Sequence, residues 1–254
     1  MQFSKNWLKE FIDIDLSTQE ICHQLTMAGL EVDGYEDVKS KITGNDSIIK
    51  LDITPNRGDC FSVLGVAREL AVINNLKFSL PKINKIPESF TDDINLTVCK
   101  DGPIYFGRTI KNISLKSKTL PLIAERLKLS DQKLIDPVVD ITNYILLELG
   151  QPLHAFDRQK LNGDITVRLA KEKEKIILLD DQELELDSSC LVISDEKEAV
   201  AFAGIMGGKA SSVTNKTNSI FLESAFFKPT IISCLLYTSP SPRDRTRSRM
   251  PSSA

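Results

Sequence analysis

The stretch Asp136–Asp157, DPVVDITNYILLELGQPLHAFD, sets acids, a hydroxyl and an amide at the start of an apolar helix and a histidine just past its end. Its pattern predicts a helix over Val138–Leu149, stopped by Gly150. The beginning of that helix, with Asp136, Asp140, Thr142 and Asn143, offers free amides and a positive dipole suited to a carboxylate or phosphate. Ordinary capping by the same side chains accounts for them as well. Around this helix the pattern is one of strands: Ile94–Cys99, Tyr105–Leu115, Asp164–Ala170, Lys175–Leu179, Leu184–Leu186, Cys190–Ile193, Ala199–Ala203 and Ser219–Phe226. One further helix is expected over Leu120–Leu129. Strands grouped with two helices argue for an α+β domain with mainly antiparallel pairing.

Toward the N-terminus, Leu80–Pro87 is linker-like, and the pattern before it is helical. Trp7, Leu8 and Phe11 form an apolar stripe on a short helix. Ser17-Thr18-Gln19-Glu20 is a capping box, followed by Ile21, Leu25 and Ala28 at helical spacing and by Gly29, placed to stop the helix in a left-handed conformation. The polar run 36–47, EDVKSKITGNDS, reads as a connector, Ile48–Ile53 as a short strand, and Thr54–Asp59 as a turn. Val63, Val66, Ala67, Leu70, Ala71 and Ile73 then give one helix a strong apolar face. The expected organisation is a small helical module over 1–80, the α+β domain over 81–233, and a tail over 234–254.

The chain has 254 residues, 41% hydrophobic and 26% charged, which is ordinary globular composition. No apolar run approaches the roughly 20 residues that span a bilayer, and Met1–Lys5 lacks the start of a secretory signal. Five scattered cysteines without CxxC spacing suggest neither a disulfide framework nor a zinc site, and a reduced cytoplasmic setting is expected. The net charge is −3, but the tail carries four arginines against one acid. Without it, 28 basic residues face 34 acidic ones, so the body has no global basic surface for nucleic acid. The tail, CLLYTSPSPRDRTRSRMPSSA, reads as a disordered basic segment, or as a foreign one. Cys234–Asp244 resembles the translation of a transposase-type sequencing adapter, and on that reading the gene product breaks near Ser233.

Three further features carry chemistry. His154 offers an acid, a base or a hydrogen-bond donor, or is a structural histidine bonded to a loop carbonyl. With no histidine or activated nucleophile nearby, metal binding and triad chemistry are poorly supported. The run Ala203–Gly208, AGIMGG, lets backbone approach a ligand or simply makes a tight turn, and it lacks the lysine and spacing of nucleotide-binding loops. Glu223 lies in the apolar run Ile220–Phe226, on one face with Phe221 and Ala225 if the segment is a strand. Turned inward, that carboxylate needs a cationic or donor partner, so it reads as an ammonium ligand or as an edge residue facing water.

Together FSKNWLKEF (3–11), TMAGLEVD (26–33), ITPNRGDC (53–60), GVARELA (65–71), Asp136–Asp157, AGIMGG and FLESAFF (221–227) resemble the bacterial phenylalanyl-tRNA synthetase beta subunit, in family order over residues 1 to about 233. The resemblance implies an N-terminal helical module followed by a B3/B4-type domain that hydrolyses mischarged Tyr-tRNA(Phe). It also implies an alpha subunit bearing the aminoacylation site, an (αβ)2 heterotetramer, and tRNA(Phe) as partner. ATP and Mg2+ would serve the whole complex, with none bound by this chain and no metal ligands in it. The editing pocket would map onto Thr142, Asn143 and His154, positioning the ester or water, with Gly204 leaving room beside the ring and Glu223 meeting the phenolic hydroxyl. No strong base stands among them, which favours water positioning over a nucleophile. The sequence departs from the family twice. Between Asp33 and Ile48 the family holds a tRNA-binding OB-fold of roughly a hundred residues. At Ser233 the family continues into an ARRxGL-like run. An isolated fragment with a truncated editing domain is expected to be inactive, and a non-catalytic module binding the alpha subunit or tRNA is the alternative.

Overall fold

The computed structural model describes residues 1–99 and 104–228. The described residues form two units, each made of two separated stretches: Met1–Glu88 with Leu115–Leu153, and Ser89–Ser114 with 154–228.

In the first unit, β1 (Gln2–Ser4), β2 (Glu31–Ser40) and β3 (Gly44–Asp52) form an antiparallel sheet in the order β1-β3-β2. Its helices are α1 (Lys5–Leu8), α2 (Thr18–Met27), α3 (Val63–Ile73), α4 (Pro121–Leu129) and α5 (Pro137–Leu149). The capping box forms as expected: Ser17 Oγ accepts from the Glu20 amide at 3.2 Å and Glu20 Oε2 accepts from the Ser17 amide at 2.8 Å. Gly29 follows α2 with φ +84°. The segment 36–47 is not a connector. It is the second half of β2, the turn 41–43 and the start of β3, paired from Glu31↔Asp52 to Ser40↔Gly44. Ser40 Oγ ties the tip by accepting from the amides of Ile42 (3.0 Å) and Thr43 (2.7 Å), and Gly44 takes φ +78°. Most of β2 is exposed or half-buried, so no apolar alternation marks it. The module is therefore mixed α/β rather than helical. Thr54–Asp59 also differs from a simple turn, because Pro55–Cys60 winds as a 3₁₀ helix.

Helices α4 and α5 belong to this unit. Arg126 on α4 is 4% exposed, pairs with Glu10, and donates to Tyr144 Oη at 2.8 Å. The Tyr144 ring on α5 stacks on Trp7 at 5.0 Å, and its hydroxyl donates to Glu148 at 2.7 Å. The expected boundary at 80/81 thus lies near the first crossing between units, at 88/89, but both helices expected within the 81–233 domain fold with the first unit.

The second unit holds β4 (Leu96–Val98), β5 (Ile104–Lys111), β6 (Leu153–Asp157), β7 (Ile165–Leu169), β8 (Glu174–Ile177), β9 (Glu183–Leu186), β10 (Leu191–Ser194), β11 (Ala199–Phe202), β12 (Met206–Gly207) and β13 (Ser219–Phe226). A five-stranded sheet runs β12-β11-β10-β7-β4, antiparallel except for the parallel pair β4–β7. A three-stranded sheet runs β5-β13-β6, and β8 and β9 form a hairpin. The core gathers Phe156, Ile165, Val167, Val192, Ile193, Phe202 and Phe221. Continuous burial of β10 and β11 matches their unbroken apolar runs. The mainly antiparallel α+β class expected from the pattern is the architecture seen; β1, β2, β6 and β12 are additional to the expected strands. Among the described residues no helix is long and apolar enough to cross a membrane. The expected disordered or foreign tail, 234–254, and the break near Ser233 lie outside the described residues.

Candidate active site

The sheet β5-β13-β6 builds a polar-in-apolar face. Antiparallel register sets Tyr105 opposite Ala225, Gly107 opposite Glu223 and Thr109 opposite Phe221. Opposed residues, and residues two apart, share a face, so Tyr105, Gly107, Phe221 and Glu223 project together. Phe156 of β6 reaches the same face, its ring 6.4 Å from that of Phe221. His154, two residues earlier, meets Phe156 edge-on at 4.5 Å. Gly107 is required by close approach, since a Cβ there would stand 2.1 Å from Phe221 Cζ. Beside this face, Arg158 clamps Asp92 with bonds of 2.9 and 3.1 Å, Thr109 also donates to Asp92, and the Arg158 guanidinium holds its carboxyl down at about 2.

Glu223 is not an edge residue facing water. It sits on the central strand, 6% exposed, and its Oε2 accepts from the Tyr105 hydroxyl at 3.2 Å. Burial pushes its carboxyl up to about 8, only partly offset by that hydrogen bond. At neutral pH the group is an acid carrying its own O–H, a hydrogen-bond donor in an apolar setting. Burial, then the neighbouring carboxyl, pushes the Tyr105 phenol far above its ordinary value.

His154 is half-buried on β6, with Nε2 shut away from solvent and without a hydrogen-bond partner among the described residues. It is therefore not the satisfied histidine that a bond to a loop carbonyl would make. Burial holds it down at about 4, so the ring is neutral at physiological pH. Gly207 of β12 lies against it: a Cβ there would come within 2.3 Å of His154 Cε1 and 2.5 Å of Nε2. Gly204 takes φ +72° in the turn from β11 to β12, where the Ile205 amide donates to the Phe202 carbonyl at 3.1 Å. The glycine run is thus both a turn and the wall that admits the imidazole.

Thr142 and Asn143 stand on α5 in the first unit, whereas His154, Gly204 and Glu223 belong to the second. The Thr142 hydroxyl donates to the Val139 carbonyl of its own helix at 2.8 Å, and Asn143 is half-buried. Capping accounts for the start of α5. Asp136 accepts from the amides of Val138 (2.9 Å) and Val139 (3.0 Å), while buried Asp140 accepts from the Ile135 amide (2.9 Å) and the Thr119 hydroxyl. That helix end is satisfied by its own side chains rather than open to an anion.

Among the described residues, Asp59, Cys60 and Glu69 are grouped closely enough to hold a metal ion. Arg57 bonds all three, at 3.1 and 3.2 Å to Asp59, 3.1 Å to Cys60 Sγ and 2.9 Å to Glu69, and Arg68 reaches Asp59 at 3.3 Å. Burial pushes the Cys60 thiol up to about 11, so it stays protonated. The donor set suits an ion-pair network and not a cation. Sequence reasoning overlooked Tyr105 and Gly107, and it singled out the glycine run holding Gly207 without the part Gly207 plays against His154. Tyr105 was visible only as the first residue of an expected strand, and its meaning appears once β5 is registered against β13.

The second unit is a mainly antiparallel domain whose sheets share one core, with a buried acid on the face of its three-stranded sheet. The chain belongs to the B3/4 domain family, whose match runs over residues 101–235, more than half of its length. It is 50% identical over 199 residues to the phenylalanine–tRNA ligase beta subunit of Idiomarina loihiensis, covering 78% of this chain and 25% of that protein. To the corresponding subunit of Photorhabdus laumondii it is 49% identical over 199 residues, covering 77% and 25%. The chain spans about a quarter of the length of these relatives. A crystal structure of an N-terminal fragment of the phenylalanyl-tRNA synthetase beta subunit from Pyrococcus horikoshii aligns with 92% of this chain and 72% of that one, at 19% identity and a TM-score of 0.43. The relatives agree with the family read from the sequence motifs.

Proposed function

We infer that this chain is a segment of a phenylalanine–tRNA ligase beta subunit and that its second unit forms part of a pocket hydrolysing mischarged Tyr-tRNA(Phe). The observation that carries this reading is Glu223, a buried acid that accepts from the Tyr105 hydroxyl and is set among Phe156, Phe221 and Tyr105. A tyrosyl ester differs from a phenylalanyl ester by one hydroxyl. A site built to pair that hydroxyl rejects the analogue lacking it, because the buried acid is then left unpaired. His154 is too weak a base to take a proton from water near neutral pH, so its role is to position the water or the ester rather than to abstract a proton. Gly207 keeps a side chain away from that ring, and Gly204 would leave room beside the ring of the substrate.

On this reading the partners are the alpha subunit, in an (αβ)2 assembly, and tRNA(Phe), in the cytoplasm. ATP and Mg2+ serve aminoacylation in the complete complex, and the reading assigns neither to residues of this chain. The test is deacylation of Tyr-tRNA(Phe) by the full-length beta subunit assembled with its alpha subunit. Glu223→Ala and His154→Ala should each lower the rate tenfold or more, the scale of one lost hydrogen bond to a reacting or recognised group. Unchanged rates would sink the assignment. One observation favours a non-catalytic module instead: the Thr142 hydroxyl is already committed to the Val139 carbonyl. Co-purification with the alpha subunit but no deacylation, even in the full-length protein, would support that alternative.

A further inference from the structure

Tyr105 lines the pocket and is the residue that touches Glu223, yet the reading above gives it no role. It opens the buried end of β5, 9% exposed, and packs into the same core as Phe156 and Phe221. Its hydroxyl donates to Oε2 of Glu223 at 3.2 Å, and among the described residues Oε1 has no hydrogen-bond partner. Directly across from Glu223 on β5 stands Gly107, which places no side chain over the carboxyl. One oxygen of the acid is thus fixed from one side and the other is left without a hydrogen-bond partner among the described residues, while the Phe221 ring fills the space over Gly107.

Resting on the hydrolase reading, we propose that Tyr105 is a positioning residue for substrate selection: it pins Oε2 of Glu223 and so reserves Oε1 for the phenolic hydroxyl of a tyrosyl ester. A carboxyl free to turn about its terminal torsion meets a substrate hydroxyl in many orientations, and ordering it on binding costs affinity. A carboxyl held by a phenol meets it in one. The donor also sorts the proton. With Oε2 accepting from Tyr105, the acid proton resides on Oε1 and points at the substrate oxygen. A phenylalanyl ester leaves that O–H unpaired, so the selectivity of the site depends on Tyr105 as well as on Glu223.

The test uses the full-length beta subunit in its complex with the alpha subunit and compares hydrolysis of Tyr-tRNA(Phe) with that of Phe-tRNA(Phe). Tyr105→Phe keeps the ring in the core and removes only the hydroxyl. Three results are expected. The preference for the tyrosyl ester falls about tenfold, the value of one hydrogen bond. The midpoint of the pH profile assigned to Glu223 moves upward, because the donor that favours its ionised form is gone. In a Glu223→Gln background the same substitution costs little more, since both act through one contact. Tyr105→Phe with wild-type selectivity and an unmoved pH midpoint overturns the proposal and leaves the hydrolase reading standing. A full, additive loss in the Glu223→Gln background also overturns it, by showing that Tyr105 acts on the fold. If the unaltered complex hydrolyses no Tyr-tRNA(Phe), the hydrolase reading fails, and this inference with it.

Discussion

Burial acts on Glu223 and His154 with opposite consequences for pH. The Glu223 carboxyl lies at about 8 in the folded chain against an ordinary value of 4.5, so folding retains a proton that the unfolded chain releases. That contribution to stability is complete below about 4.5 and is lost as pH rises through about 8. The His154 imidazole lies at about 4 against 6.5, so the unfolded chain takes up the proton first on acidification. Its contribution is complete above 6.5 and is lost as pH falls through about 4. Melting temperatures measured across the acid and alkaline limbs should therefore separate the two. Glu223→Gln is expected to flatten the decline toward pH 8, and His154→Gln the decline toward pH 4; a variant that leaves its own limb unchanged would show that the group is not buried as described. Only part of this was legible from the sequence. Alternation set Glu223 on a face with Phe221 and Ala225, which the structure bears out. Its partner was not legible, because Tyr105 lies 118 positions away and register is fixed by long-range pairing.

At the scale of the element, local chemistry was readable wherever a capping side chain or a left-handed glycine closes the end of its own helix. The Ser17–Glu20 box, Gly29 after α2 and Gly150 after α5, with φ +76°, are such cases. The start of α5 makes this measurable. Asp136 accepts from two amides that would otherwise be free, so Asp136→Ala should cost about 1 kcal/mol, within the usual range for a lost N-cap. Chemical denaturation of the variant checks this, and no loss would mean that another group covers the helix end. Elements without local closure were harder to see. The hairpin of β2 and β3 hid within 36–47 because β2 carries polar residues on both faces and its partner strand supplies the order. Strand β6 was masked for a different reason. The pattern Leu153–Asp157 is too short and mixed for a periodicity, and its place is set by lying beside β13.

The whole molecule adds a property that no local pattern records: each unit is discontinuous in the chain. A linker rich in Pro and Lys, such as Leu80–Pro87, marks where the chain first leaves a unit, but nothing local marks its return at Leu115 and second departure at Leu153. Contacts reveal the return. Besides Arg126 with Glu10 and Tyr144 with Trp7, the Gln2 side chain donates to the Leu129 carbonyl at 2.8 Å, and Ser40 donates to Glu125 at 2.6 Å. All of these tie α4 or α5 to residues before position 41. A fragment starting at residue 81 therefore takes both helices away from their partners and exposes the apolar side of Tyr144 and the charge of Arg126 together. Isolated helices of 9 and 13 residues are marginal in water. The five-stranded sheet keeps every partner strand in such a fragment, because β4, β7, β10, β11 and β12 all lie within it. Amide hydrogen exchange on 81–228 compared with 1–228 should then show protection of α4 and α5 collapsing toward the unfolded limit while β10 and β11 stay protected. Equal protection of the helices in both would mean that α4 and α5 stand without the first eighty residues, and that the domain boundary expected from the linker is also the boundary of stability.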